Sequence, residues 1–246
     1  EAFENLAGWG GVYTNVSPHM GWHTSLPAYD GSRIVNLPYT FSGGSRPLPF
    51  VTHTNVLRLD TGAAVLTNSF GDGFDLRSAI TRVDVMMRIQ PGGRNIDELS
   101  GAKISVYADE ETGRLMIYHG VALPDGTLLS NTVSATGIAI DSNQWYRLTF
   151  TVDATATNVA MCQLRVNGTV VANASAYPEG WKTQFLSTGL LPPTGVDGTW
   201  FRLATANQQS QFLTGVEFRG VGYVDDLVVK EEPSTVVLSV VRTGNG

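Results

Sequence analysis

Charged residues, cysteines and long apolar runs are all scarce in this sequence of 246 residues. Only 15% of the residues are charged and the formal net charge is −6, so the chain lacks the basic clusters that neutralise a phosphate backbone. Nucleic acid is therefore excluded as an expected partner. The single cysteine, Cys162, excludes an intramolecular disulfide. No apolar run reaches 18 residues, so no membrane-inserted helix is predicted.

What the sequence does contain is short runs of β-forming residues separated by turn residues. Hydrophobic residues make up 42% of the chain, and 27 glycines interrupt them. No stretch has the pattern of a long amphipathic helix, so we expect an all-β fold, an antiparallel β-sandwich of jelly-roll type. The predicted strands are Val56–Leu59, Ala79–Ile89, Ala102–Ala108, Arg114–His119, Gly137–Ile140, Trp145–Val152, Met161–Val166, Thr169–Ala172, Trp200–Ala206 and Gly222–Val229.

Two β-hairpins are predicted with particular turn residues. The first surrounds an acidic turn that contains Gly113, within "ISVYADEETGRLMIYHG". The second has Asn167 and Gly168 between two β-forming runs, and Asn-Gly is the pair that a two-residue type I′ turn prefers. Both hairpins indicate antiparallel neighbours.

The domain organisation is predicted from changes in composition. Residues 1–231 are expected to form one sandwich, with a long aromatic-rich loop segment at 8–50. Residues 232–246 begin with Glu232 and Pro233, at the end of a charged stretch, and continue into a new β-forming run. This segment predicts a linker and the start of a following domain, so we expect the parent polypeptide to be longer. Its alternative is a last edge strand of the same sandwich.

Three stretches carry a resemblance to a known fold family. "NQWYRLTFTVD" is a Trp-led strand, "CQLRVNGTVV" is a hairpin, and "GYVDDLVV" is a closing strand with two acidic residues. In this order they resemble the concanavalin A-like and laminin-G-like jelly rolls of secreted bacterial proteins, over roughly residues 79–229. That fold includes lectins, carbohydrate-binding modules, hydrolases, lyases and adhesive domains, so the resemblance implies an extracellular or cell-surface β-sandwich rather than one activity.

The two ends of the chain carry a second resemblance, to β-sandwich carbohydrate-binding modules. These modules often begin with a Phe-Glu pair and end with an Asp-Asp strand, here Phe3-Glu4 and Asp225-Asp226. The resemblance implies a structural calcium ion held by Glu4, Asp225 and Asp226. Calcium binds hard oxygen ligands, which carboxylates supply. A solvated strand end is the alternative interpretation of the aspartate pair.

Catalysis by the aspartate pair is not expected. Successive residues of a regular strand point to opposite faces, so Asp225 and Asp226 are not expected to flank one scissile bond together. Asp225 has the parity of Tyr223 and Leu227 and is expected to point inward. No nucleophile elbow is present. His53 is interpreted as a lone structural histidine.

Aromatic residues in predicted loops are the candidate ligand contacts. Trp and Tyr rings bind the apolar faces of sugars, so we expect the carbohydrate-binding residues to be Trp22, Tyr29, Tyr39 and Trp181. Trp145 and Trp200 begin β-forming runs and are expected in the core instead.

These observations favour a non-catalytic carbohydrate-binding module, connected to other domains of the same secreted polypeptide. Its ligand is expected to be a neutral polysaccharide or glycan, because basic residues that bind uronate or sulfate are few. Two other classes stay open. One is a glycan-degrading enzyme with an atypical site, and the other is a structural or protein-adhesive spacer that binds no glycan.

Overall fold

The computed structural model describes residues 21–26, 28, 30–41, 52–61, 64–90, 102–109, 112–122, 128–153, 159–170, 181–184, 200–204 and 212–232. These residues form an all-β fold in which the paired strands are antiparallel. The strands are β1 (Trp22–Thr24), β2 (Arg33–Thr40), β3 (Thr52–Asp60), β4 (Leu66–Asp75), β5 (Ile80–Ile89), β6 (Ala102–Ala108), β7 (Arg114–Ala122), β8 (Leu128–Ala139), β9 (Tyr146–Asp153), β10 (Val159–Val166), β11 (Thr169–Val170), β12 (Trp181–Gln184), β13 (Trp200–Ala204), β14 (Phe212–Arg219) and β15 (Val221–Glu232).

The strands form two sheets that pack face to face. One sheet has seven strands in the order β1-β4-β14-β13-β6-β7-β8. The other has eight, in the order β11-β10-β9-β5-β15-β3-β2 with β12 paired to β10. Phe150 of β9 and Phe201 of β13 meet between the sheets with ring centroids 5.1 Å apart. This contact joins the two sheets within one hydrophobic core.

Alternation of apolar and polar residues along the strands sets which face of each sheet is buried. In β5, Val83, Val85, Met87 and Ile89 belong to the core, whereas Arg82 and Arg88 alternate with them. Since the side-chain period of a strand is two, these arginines lie on the outer face of the eight-stranded sheet. The last strand of the described residues, β15, lies in the middle of this sheet between β3 and β5.

Both predicted hairpins are confirmed. Asn167 and Gly168 have φ values of 50° and 84°, as a type I′ turn requires, and they connect β10 to β11. Gly113, with φ of 62°, lies in the turn between β6 and β7. An asparagine and two glycines reach these positive angles at low cost, which is why the sequence signal was reliable here.

The structure places strands where the sequence predicted only loops. β1 and β2 lie inside the predicted loop segment 8–50, and β12 contains Trp181. β4 and β14 were also not predicted. β2 contains Pro38, which weakens a strand prediction, but β2 is an edge strand of its sheet, and proline is tolerated there. Gly71 and Gly73 interrupt β4 with positive φ values and hide its strand pattern.

The predicted linker begins at a residue that is still paired. Glu232 ends β15 and opposes Ile80 of β5. Residues 233–246 lie outside the described residues. Within the part of the chain that the structure describes, no helix is long and apolar enough to cross a membrane.

Candidate functional site

The site begins at an irregularity in β15. Val224 and Leu227 are three positions apart, yet both are buried in the core. Regular alternation would place them on opposite faces, so the strand must contain one extra residue between them, which is a β-bulge. The pairing with β5 records this as a register shift between Asp225 and Val228. Asp226 takes a φ of 46°, a left-handed conformation in which Asp is more common than most residues.

This bulge brings the two carboxylates of β15 around one histidine of β3. His53 Nδ1 lies 2.8 Å from Asp225 Oδ2, and His53 Nε2 lies 3.5 Å from Asp226 Oδ2. The backbone N–H of Asp226 also donates to Asp225 Oδ1 at 2.8 Å. His53 and Asp225 are 0% exposed and Asp226 is 1% exposed. We refer to His53, Asp225 and Asp226 as the buried triad.

Tyr39 of β2 connects the buried triad to the surface. Its hydroxyl donates to Asp225 Oδ2 at 3.0 Å, and its ring stacks on His53, which it opposes across β2 and β3, with centroids 4.6 Å apart. The ring also stacks on Trp145 at 4.0 Å. Both stacks have an interplanar angle of 15°. Trp145, just before β9, is partly exposed, so a column of three rings leads from the buried triad to an indole at the surface.

Tyr223 and Arg88 extend this column along the sheet. Trp145 and Tyr223 lie with ring centroids 6.3 Å apart. The Arg88 guanidinium lies 5.5 Å from the centroid of the Tyr223 ring, within the range of a cation–π contact. Arg88 is held in place by Ser142, whose carbonyl oxygen accepts from Nε at 2.7 Å, and by Asn143, whose Oδ1 accepts from Nη2 at 3.0 Å.

The buried triad brings together donor atoms that could hold a metal ion. One donor atom from each of the three residues lies within 4.8 Å of the other two. When both aspartates are ionised, the triad contains two negative charges, and His53 contributes at most one positive charge. An unbalanced charge is costly to bury, and a bound cation removes that cost. Carboxylates suit calcium and zinc, whereas an imidazole nitrogen suits zinc better than calcium.

The geometric premise against a shared role for the two aspartates was wrong. It assumed regular strand alternation, and the bulge removes that alternation between Asp225 and Asp226. Asp225 is buried, but the predicted inward orientation was wrong, because Asp225 shares the outer face of the sheet with Tyr223 while Leu227 enters the core together with Val224. His53 was also misinterpreted as a lone residue. Its two carboxylate partners are more than 170 positions away, and no local pattern in the sequence indicates them.

The predicted sugar contacts have different outcomes. Trp22 is 1% exposed and packs on Phe218 in the core at a centroid distance of 5.8 Å, so it is not available to a ligand. Tyr39 is partly exposed, but its ring stacks on two neighbours. Tyr29, and the predicted calcium ligand Glu4, lie outside the described residues. Trp181 lies in β12, which is a strand rather than the predicted loop, and its backbone pairs with Cys162 of β10.

Trp145 is partly exposed, although it was predicted to lie in the core. It was assigned to the core because it precedes a β-forming run, but β9 begins one residue later, at Tyr146. Tyr146 takes the buried position, with 5% exposure, and Trp145 is left at the strand entrance. Exposed aromatic residues at strand entrances cannot be separated from core residues by sequence pattern alone.

No family model matches the sequence, and no curated protein matches it. Solved structures with distant similarity include alginate lyase Aly36B, at 11% identity and a TM-score of 0.42, over 96% of this chain and 97% of that chain. The carbohydrate esterase vb_24B_21 from Shiga toxin-encoding bacteriophage phi24B is 12% identical with a TM-score of 0.35, over 84% and 90% of the two chains. A variant of Aly36B in complex with alginate trisaccharide is 12% identical with a TM-score of 0.34, over 94% and 97%. These distant similarities assign no family.

Proposed function

We propose that this chain is a non-catalytic carbohydrate-binding module that binds a polysaccharide beside the column formed by His53, Tyr39 and Trp145. The observation that carries this proposal is the column itself. It fixes a partly exposed indole on a rigid buried base. A surface aromatic ring that is held in place binds a sugar face with little loss of conformational entropy.

The surroundings of Trp145 supply the polar groups that sugar recognition also needs. The Asn143 side chain is exposed, and Arg88 lies between Asn143 and Tyr223. Sugar hydroxyls bind such amide and guanidinium groups by hydrogen bonds, while the C–H face packs on the indole. Trp145 therefore takes the role that the sequence assigned to Trp22.

The burial of the carboxylates supports a non-catalytic role. Asp225 and Asp226 are at most 1% exposed, and a general acid or base must come within hydrogen-bond reach of a substrate. A polymer does not reach these carboxylates in this conformation. The role we propose for Asp225 and Asp226 is to hold the scaffold.

The scaffold role includes a divalent cation bound by the buried triad. Calcium is the ion we propose, with Asp225 and Asp226 as carboxylate ligands and Glu4 as a further one. Zinc is the competing ion because His53 adds a nitrogen donor. A bound cation stabilises the folded state by mass action, which matters in a chain that has one cysteine.

The wider setting that we propose follows from the composition and the strand arrangement. The fold is a concanavalin A-like or laminin-G-like jelly roll, supported by the placement of β15 between β3 and β5. The module is a secreted or cell-surface bacterial domain, supported by its low charge and high glycine content.

Affinity electrophoresis tests this function. The wild-type chain and the Trp145→Ala variant are run through gels that contain single neutral or acidic polysaccharides, and the same mixtures are assayed for released reducing or unsaturated ends. We expect one or more polysaccharides to retard the wild type, the variant to lose at least tenfold in affinity, and no product to form. Product release by the wild type would instead establish an enzyme.

A further inference from the structure

Three arginines and one tyrosine form a row across four strands of the eight-stranded sheet. Arg33 of β2 opposes Arg58 of β3, Arg58 opposes Tyr223 of β15, and Tyr223 opposes Arg88 of β5. Residues that oppose each other across a ladder share one face of the sheet. Neighbouring strands are about 4.8 Å apart, so the row extends over roughly 14 Å. We refer to Arg33, Arg58, Tyr223 and Arg88 as the arginine row.

The arginine row faces away from the core. Each member is adjacent in sequence to a core residue, and these core residues oppose one another in the next row: Ile34, Leu57, Val224 and Met87. Because successive residues alternate between the faces of a strand, the arginine row lies on the outer face. Arg33 is exposed, and the other three members are partly exposed.

Repulsion between the like charges of the arginine row lowers the stability of the protein when no anion is bound. Like charges that oppose each other directly across a ladder repel, as Arg33 and Arg58 do. Arg58 is partly compensated by Asp60, whose Oδ2 accepts from Nη2 at 3.1 Å. On the same face Lys230 opposes Arg82, but there the Arg82 guanidinium forms an ion pair with Glu232 at 2.9 Å. The opposed pair of Arg33 and Arg58 is the unexpected feature in a chain whose net charge is −6.

Arg88 retains its charge for a ligand. The acceptors that hold it, the Ser142 carbonyl and the Asn143 amide, are neutral oxygens. These bonds orient the guanidinium over Tyr223 without cancelling its positive charge. An oriented guanidinium recognises the planar oxygen pair of a carboxylate or sulfate through two parallel hydrogen bonds.

We propose that the polysaccharide bound at this site is anionic, with carboxylate or sulfate groups contacting Arg33 and Arg88 while a sugar face packs on Trp145. This inference rests on the proposed carbohydrate-binding function and names its ligand class. The sequence predicted a neutral ligand because basic residues are few. The strand register gives a different expectation, because it places several of the few basic residues together on one face, beside the aromatic column.

Matched polymers test the charge requirement. Polygalacturonate is compared with its highly methyl-esterified form, which has the same backbone with masked carboxylates, and dextran sulfate is compared with dextran. The proteins are wild type, Arg33→Ala, Arg88→Gln and the control Arg77→Ala. The control removes one positive charge from an exposed ion pair with Asp75, outside the row. Thermal melting checks that each variant folds, and Arg33→Ala, at an exposed position, keeps the test valid if Arg88→Gln does not fold.

We expect a charged polymer to retard the wild type and its uncharged partner not to do so. Arg33→Ala and Arg88→Gln should each lose about tenfold in affinity, with Arg77→Ala unchanged. Equal binding of charged and masked polymers would overturn the anionic ligand and leave the carbohydrate-binding function standing. An equal loss in Arg77→Ala, or equal retardation by duplex DNA, would overturn it as nonspecific charge attraction. Failure to bind any polysaccharide would contradict the proposed function itself.

Discussion

At the scale of single residues, the site depends on contacts between residues far apart in sequence. Tyr39 and Asp225 are 186 positions apart and meet through one hydrogen bond. The aspartate pair is recognisable in the sequence because two carboxylates interrupt an apolar run. No sequence feature indicated His53 or Trp145 as their neighbours. Such contacts follow from strand register, and a sequence pattern does not supply register between distant strands.

Replacing Tyr39 by phenylalanine tests the link between the column and the buried triad. The change keeps the stacked ring and removes the hydroxyl that donates to Asp225, so we expect a loss of about 1–3 kcal/mol in the free energy of unfolding. Urea denaturation measures it. In a double-mutant cycle with Asp225→Asn, the two losses should not add, because both variants remove one interaction. Fully additive losses would show that the hydroxyl acts elsewhere.

At the scale of strands, the regular elements were predictable and the irregular ones were not. β5 was predicted as Ala79–Ile89 and is observed at Ile80–Ile89, since its alternation is regular. The turn at Asn167 and Gly168 was predictable because only a few residue types favour its angles. β2 escaped prediction because of Pro38 and a bulge between Asn36 and Tyr39. The bulge in β15 was equally hidden, although it builds the site.

Gly222 offers a test of how closely β15 fits between its neighbours. A Cβ atom at this position would lie 2.6 Å from the backbone carbonyl oxygen of Arg88, which a rotamer change does not relieve. We expect Gly222→Ala to lower the free energy of unfolding by about 1–3 kcal/mol through overpacking. The control Val221→Ala, at a residue that is 39% exposed, should change it by less than about 0.5 kcal/mol. Chemical denaturation of both variants measures the difference, and equal stabilities would contradict the packing of β15.

At the scale of the whole molecule, composition and spatial arrangement lead to different expectations. A net charge of −6 indicated poor affinity for anionic ligands, whereas the arginine row concentrates positive charge on one face. The all-β class and the antiparallel pairing were both predictable from short β-forming runs and turn residues. The positions of strands in the two sheets were not, because pairs such as β15 with β3 join distant parts of the chain.

Metal addition tests the scaffold role of the buried triad. After treatment with a chelator, calcium or zinc is added in excess and thermal unfolding is followed. Saturation at about 100 times the dissociation constant stabilises by about 2.7 kcal/mol, which corresponds to a rise of roughly 5–10 °C in Tm. Asp226→Asn should abolish the rise, and the partly exposed control Asp75→Asn should keep it. A response to zinc alone would assign His53 as the decisive donor, and the same rise in Asp226→Asn would place the cation elsewhere.

The most direct test of the central claim is the retardation of the wild-type chain in polysaccharide gels, with and without chelator, together with an assay for released product. The account predicts retardation by at least one polysaccharide, weaker retardation after chelation because the base of the aromatic column loosens, and no product. Migration unchanged by every polysaccharide would contradict the claim and favour a structural or adhesive spacer.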